Sequence, residues 1–212
     1  MSKPRLLDLF CGAGGCAKGY QRAGFYVVGV DIKNQPRYCG DEFVQGDALE
    51  YLKEHGHEFD AIHASPVCRR YSECTPLETR GNHPDQIAEV QGCLRELGKP
   101  YVIENVEGAA HLLSQPIMLC GTMFGLNVWK HRFFEVSPEP PALLPQCSHV
   151  GSPVLTVGRN RKGKEATGAQ MNGALGCEWL GNRQERRDAI PPAYTEFIGI
   201  QLMEHIRERR AA

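Results

Sequence analysis

Apolar residues fall in short blocks along this chain, and each block ends on a turn or a charged group. RLLDLF at 5–10 runs straight into the glycine-rich CGAGGCAKG, and YVVGVD at 26–31 is β-branched and closes on a carboxylate. Residues 58–65 (EFDAIHAS) and 100–106 (PYVIENV) repeat the theme. Such near-continuous apolar runs suit strands covered on both faces. Segments with helical spacing lie between them: Cys16 to Ala23, then 47–55 (DALEYLKEH), then 84–97. In the last, Pro84 suits a first turn, and Ile87, Val90, Leu94 and Leu97 recur at three and four. Strands alternating with helices predict an α/β domain with a doubly wound, mostly parallel sheet.

Beyond about residue 115 the pattern changes. PIMLCGTMFG (116–125) and HRFFEV (131–136) read as further strands, paired as an antiparallel hairpin. From Ser137 to Arg187 the chain is rich in Pro and Gly with little periodicity. A connection that long is a small functional insert rather than an ordinary loop. A final helix opens at Ile190, with Tyr194, Phe197, Ile198, Leu202 and Ile206 on one side and arginines in its last turns, where they suit the helix dipole. The expected organisation is one domain built from 1–136 and 188–212, interrupted by an insert over 137–187.

With 24 Lys plus Arg against 25 Asp plus Glu, the net charge is −1. That excludes nucleic-acid binding by bulk charge and leaves only a local patch. RNRKGK at 159–164, with Arg159, Arg161, Lys162 and Lys164, is one such patch. No run approaches the roughly 18 apolar residues of a membrane span. MSKPRLLDLF leads into a glycine turn rather than a cleavage site. The expected setting is the cytoplasm, with the nine cysteines as reduced thiols. There is no CxxC pair, and Cys147, His149 and Cys177 match no standard zinc spacing, so no metal is expected.

Two regions carry candidate chemistry. Gly12-Ala13-Gly14, with Ala17 in the third small-residue place, fits a tight strand-to-helix turn that lets a ligand approach the backbone. Asp31 could accept hydrogen bonds from ribose hydroxyls, and Asp47, after Gly46 at the end of a third strand, could meet an adenine amino group. These strand ends fit a nucleoside-containing cofactor, with NAD and S-adenosylmethionine both open. The second region is ASPVCRRYS at 64–72, at the carboxyl edge where open sheets place their sites. Cys68 lies there beside Arg69 and Arg70, cations that would stabilise a thiolate. Glu104 ends an apolar strand, where a carboxylate is costly to bury and can act as a general acid with an upward-tuned pKa. Arg132 can supply a cation to either group.

LLDLFCGAGG (6–15), GVD (29–31), GDAL (46–49), ASPVC (64–68), ENVEG (104–108), KHRFFE (130–135) and IPPAYTEFIG (190–199) follow in order. Together they resemble the ordered motifs of the C5-cytosine DNA methyltransferases across residues 5–206, apart from the insert. The length and the IPPAYTEFIG ending are similar to compact phage and prophage members. The resemblance implies a Rossmann-like methyltransferase sheet, S-adenosylmethionine as donor, and DNA, as a duplex with the base extruded, as acceptor. A monomer is expected. Cys68 would attack cytosine C6, Glu104 would hold or protonate N3, and Arg132 would steady the carbonyl. Phe10, Gly12, Ala13, Gly14, Asp31, Ile32, Asp47, Ala48 and Pro66 would hold the cofactor. Ser65, Arg69, Arg70, Ser72, Asn105 and Lys130 would meet substrate, together with Arg159, Arg161, Lys162 and Lys164, while Arg80 would be available for phosphates. Gln170, Asn172 and Asn182 of the insert are candidates for reading base edges. The chain departs from the family in having Pro66-Val67-Cys68-Arg69 for Pro-Pro-Cys-Gln, and Lys130-His131-Arg132 for Arg-x-Arg. RNA cytosine, a free cytosine nucleotide, a modified donor and an inactive nucleic-acid-binding relative therefore remain as alternatives.

Overall fold

Seven strands make one sheet: β1 (Arg5–Leu9), β2 (Tyr26–Asp31), β3 (Glu42–Gln45), β4 (Ala61–Ala64), β5 (Tyr101–Asn105), β6 (Ile117–Leu119) and β7 (Arg132–Ser137). Their order is β3-β2-β1-β4-β5-β7-β6. The pairs among β1 to β5 are parallel, and β7 runs antiparallel to both β5 and β6. The computed structural model describes residues 2–73, 75–139, 144, 146–151, 153–154 and 166–211. The helices are α1 (Gly15–Arg22), α2 (Ala48–His55), α3 (Leu77–Arg80), α4 (Ile87–Leu97), α5 (Gly168–Leu175), α6 (Arg183–Asp188) and α7 (Pro192–Ala211). None is long and apolar enough to cross a membrane among the described residues.

Alternation along the strands sends neighbouring side chains to opposite faces. Leu7, Leu9, Val28, Val30, Ile62 and Ile103 pack with α2 and α4, while Leu6, Val27, Ala61, Val102 and Phe134 pack with α1 and α7. Helices on both faces make the sheet doubly wound, as its apolar runs predict. The hairpin expectation holds in pairing, but the first of its strands is only Ile117–Leu119, because Gly121–Phe124 winds into a 3₁₀ turn closed by Gly125 at φ +71. The helix expected over 84–97 starts later, at Ile87 with Gln86 as its N-cap.

The contact of α1 with α7 is set by glycine. Gly15 and Gly19 are one turn apart, and Thr195 Oγ1 donates to the Cys16 carbonyl at 2.9 Å. A Cβ on Gly19 would overlap the Thr195 hydroxyl and the Pro192 carbonyl, and one on Gly15 would overlap the Ile190 carbonyl. Gly19→Ala is expected to destabilise by about 1–3 kcal/mol through overpacking. Urea unfolding should show a lower midpoint at unchanged slope.

The insert is more regular than its Pro and Gly content suggests. Thr167 caps α5 with Gln170 in a capping box, Asn182 does the same for α6 with Glu185, and Gly176 at φ +68 ends α5. Ala174 and Leu175 join Cys177, Leu180 and Val128 in a small third core. Two-turn helices bury too few residues to print a clear period, which is why the sequence reads as irregular there. Arg159, Arg161, Lys162 and Lys164 lie outside the described residues.

Candidate active site at the carboxyl edge of the sheet

The carboxyl ends of β1, β4 and β5 are neighbours in the sheet, and antiparallel β7 begins at the same edge. Phe10 and Gly12 are both left-handed, with φ of 59 and 49, so the chain turns sharply as it leaves β1. Residues 10–14, 31, 65–68, 104–105 and 132 therefore gather along one rim.

Glu104 sits opposite Phe134 across the β5–β7 pair, and Arg132, two residues before Phe134, shares its face. Arg132 Nε lies 3.0 Å from Glu104 Oε1, with the two side chains only 16% and 7% exposed. Burial pushes the Glu104 carboxyl above its usual range, and Arg132, Ser65 and Lys130 only partly offset it. Cys68 opens a short 3₁₀ turn, Cys68–Arg70, which the Tyr71 N–H closes on the Cys68 carbonyl at 3.0 Å, with the Ser72 N–H donating to the same oxygen at 2.9 Å. Burial, then the Glu104 charge, pushes its thiol up, and Arg132 pulls it down. The carboxyl thus bears on the thiol, and the guanidinium bears on both.

Several expectations change here. The cation that favours the Cys68 thiolate is Arg132, across the sheet, rather than the flanking arginines. Arg69 is exposed, while Arg70 donates to the His83 carbonyl at 3.2 Å and lies 3.8 Å from Asp85. Arg80 donates to the Thr75 carbonyl. Asn105 is fully buried: its Nδ2 donates to the Pro66 carbonyl at 3.0 Å and its Oδ1 accepts from the Val106 N–H, so it positions the loop before Cys68. Lys130 is also buried, donates to the Arg187 carbonyl at 2.8 Å, and is pushed down to about 7 by burial and then by Arg132. Its amine is spent on clamping the end of the insert. Gln170 caps α5, Asn172 binds the Leu180 carbonyl and Arg186, and Asn182 caps α6. The Gln170 oxygen and both ends of the Asn172 and Asn182 amides are engaged by the fold.

Sequence reasoning missed a polar ladder beneath the rim. The Tyr20 hydroxyl and His63 Nδ1 are 2.9 Å apart, as are His63 Nε2 and the Ser65 hydroxyl. Ser65 in turn favours the Glu104 carboxylate by hydrogen bonding. Burial pushes His63 down to about 3, so the ring is neutral. If Ser65 donates to Glu104, then His63 Nε2–H donates to Ser65 and Tyr20 donates to Nδ1. The signal in the sequence is a histidine inside the apolar run AIHAS, two residues before Ser65 and on its face.

At the glycine turn, Asp31 Oδ2 accepts the Gly12 N–H at 3.0 Å and Oδ1 accepts the Lys33 N–H. Asp47 Oδ1 caps α2 through Leu49 and Glu50, and Ala48 is buried behind it. Carboxylate oxygens keep further lone pairs for a ligand. Nothing lies within 4 Å of the place a Gly12 Cβ would fill, and Ile32, beside Asp31, is 63% exposed. An open backbone cradle, carboxylates and an exposed apolar side chain fit a nucleoside-bearing cofactor. The Ala13 carbonyl is taken by Trp179 Nε1 at 2.7 Å, so residues of the insert cover that side of the turn.

No protein-family model matches the sequence, and no curated protein does either. Among solved structures the chain is similar to the methyltransferase EhMeth of Entamoeba histolytica, with 12% identity over 99% of both chains and a TM-score of 0.61. It is also similar to a protein described as a DNA modification methyltransferase encoded within an E. coli prophage (22% identity, 72% of this chain and 53% of that one, TM-score 0.49). A third is the S. pombe Dnmt2 methyltransferase (16% identity, 64% and 49%, TM-score 0.47). The chain spans about half the length of these last two.

Proposed function

Starting from a sheet and helices arranged as in a methyltransferase, we propose that the protein transfers a methyl group from S-adenosylmethionine to C5 of cytosine in DNA, through a transient Cys68–C6 bond. The observation that carries this reading is the buried Arg132–Glu104 pair, 3.0 Å apart, at the sheet edge where Cys68 and the glycine turn also lie. The ordered sequence motifs favour cytosine and DNA.

Phe10, Gly12, Asp31, Ile32 and Asp47 would hold the donor, which when bound supplies an electrophilic methyl group. Cytosine C5 is a weak nucleophile until the ring is opened to addition. Cys68 Sγ, as the thiolate, forms the bond to C6 while Glu104 delivers its proton to N3, so the electron pair of the C5–C6 double bond becomes available at C5. After C5 is methylated, its proton passes to water, the C5–H electron pair re-forms the C5–C6 double bond, the S–C6 bond breaks with its pair returning to sulfur, and the N3 proton returns to Glu104. Arg132 faces the charge that develops on the ring carbonyl while holding Glu104 in place.

Thiol plus carboxylate and thiolate plus carboxylic acid carry the same number of protons. The reactive pair therefore belongs to the singly protonated site, and activity should titrate with apparent values of the pair. It should fall below the Glu104 limb, where both groups are protonated, and above the Cys68 limb, where neither is.

Incubation with methyl-labelled S-adenosylmethionine and, separately, duplex DNA, RNA and dCMP tests the reading. Labelled 5-methylcytosine in duplex DNA alone is the expected result. Label in RNA or dCMP alone would move the acceptor, and no label in any of them from protein that binds the donor would end the proposal.

A further inference from the structure

Four side chains that this chemistry does not use converge beside the start of β7. Cys120 follows β6, His131 precedes β7, and Cys147 and His149 belong to the insert. Their two Sγ and two imidazole nitrogens all lie within 4.8 Å of one another. His131 Nε2 and His149 Nε2 are 3.1 Å apart. Cys147 Sγ is 3.2 Å from His149 Nε2 and 3.5 Å from His131 Nε2, and Cys120 Sγ is 3.4 Å from His149 Nε2.

Those separations can be compared with the edges of a coordination tetrahedron. Bonds of about 2.3 Å to sulfur and 2.0–2.1 Å to nitrogen give edges of about 3.3 Å between nitrogens and about 3.5 Å between sulfur and nitrogen. The observed values lie within a few tenths of an ångström of these. Without a cation, two neutral Nε2 atoms facing each other share at most one proton, and thiols are weak donors. A soft divalent ion would take all four lone pairs at once.

The surroundings are arranged to hold the donors. The His149 ring stacks on Trp129 with centroids 4.5 Å apart and planes 9° apart, and on His131 at 4.9 Å and 19°. Thr122 Oγ1 lies 3.4 Å from Cys120 Sγ and 3.8 Å from Cys147 Sγ, placed to donate to thiolates as an outer-shell partner, and it accepts the Ser148 N–H at 3.2 Å. Cys120 is buried, His131 and Cys147 are half-buried and His149 is exposed, which leaves a route for an ion from solvent.

We propose that Cys120, His131, Cys147 and His149 form a closed tetrahedral site for zinc or a similarly soft divalent ion. Two cysteines and two histidines with no open position make it structural. It ties the insert, through Cys147 and His149, to the ends of β6 and β7. It also holds the residue immediately before Arg132, and so the start of the strand that carries the guanidinium to Glu104. The spacing hides the site, since Cys120 and His131 are far from Cys147 in sequence. Cys177, the third member of the set considered from spacing, lies instead in the small third core.

The test is metal content and does not depend on methyl transfer. The full chain, purified under reductant with zinc present, should carry about one ion per chain. After removal of the ion, Co²⁺ should give the visible ligand-field bands of a tetrahedral site and a thiolate charge-transfer band in the near ultraviolet. His149→Ala changes an exposed residue, and Cys147→Ser tests a sulfur. Each should lower bound metal at least tenfold while far-UV circular dichroism is unchanged. Cys93→Ser, on α4, should retain the ion. Reduced, folded protein that binds neither zinc nor cobalt, or His149→Ala protein that keeps both the ion and the tetrahedral spectrum, would overturn the site. So would a native Cys120–Cys147 disulfide in protein kept under reductant.

Discussion

Replacing Cys68 by serine is expected to abolish the covalent adduct and to lower methyl transfer by on the order of 10⁴-fold or more, the scale of losing a nucleophile from an assembled site. The smaller, harder hydroxyl keeps the shape of the turn at 68–70 but has no usable anion near neutral pH. The thiol itself is raised by burial and by Glu104, so its reactive form depends on Arg132 and on the proton that Glu104 carries. DNA containing 5-fluorocytosine provides the direct check. Fluorine cannot leave C5 as a proton does, so the wild-type protein should accumulate a denaturant-resistant protein–DNA species and Cys68→Ser should not. Donor binding by calorimetry should be unaltered in the variant. An adduct that persists in Cys68→Ser would assign the chemistry to another thiol.

The Glu104–Arg132 pair should show the second large effect, in two measurements that separate its roles. Glu104→Gln keeps the side-chain shape but cannot deliver a proton, and about 10²–10⁴-fold is expected to be lost from kcat. Arg132→Leu leaves a carboxyl 7% exposed with its cation gone. Removing one partner of a buried pair costs about 3–5 kcal/mol. Stability against pH checks the sign. The folded-state value of Glu104 is raised, so its contribution is fully present below the unfolded carboxyl value and is lost as pH rises through the folded value. Arg132→Leu should push that value higher and deepen the loss, whereas Glu104→Gln should flatten this part of the profile. Chemical unfolding at a series of pH values reads both. An unchanged pH dependence in Glu104→Gln would mean that this carboxyl is not the titrating group.

Much of the fold could be read from local chemistry. A strand buried on both faces must be a short apolar run, and a tight turn that meets a ligand must be glycine-rich, so β1, β2, β4 and β5 and the turn at 12–14 stand out in the chain. The helices of the insert do not, because two short helices capped by Thr167 and Asn182 bury too few residues to print an amphipathic stripe. The same limit applies to side chains. Asn105, Lys130 and Asn172 have polar groups suited to a ligand, yet each spends them on a backbone carbonyl brought near by the fold. His63 looked like part of a strand and is the middle of a ladder reaching Glu104.

By itself, then, the sequence determined the alternation of strand and helix and the edge at which Cys68, Glu104 and Arg132 gather. These depend on residue type and on distances of a few positions, where steric and hydrogen-bonding preferences act directly. Only the tertiary structure decided which cation acts on Cys68, which polar side chains are already satisfied, and that Cys120 and His131 meet Cys147 and His149. Those outcomes depend on strand order and on the burial of each group, and the energy of a charge or a lone pair is set by neighbours that chain separation does not reveal.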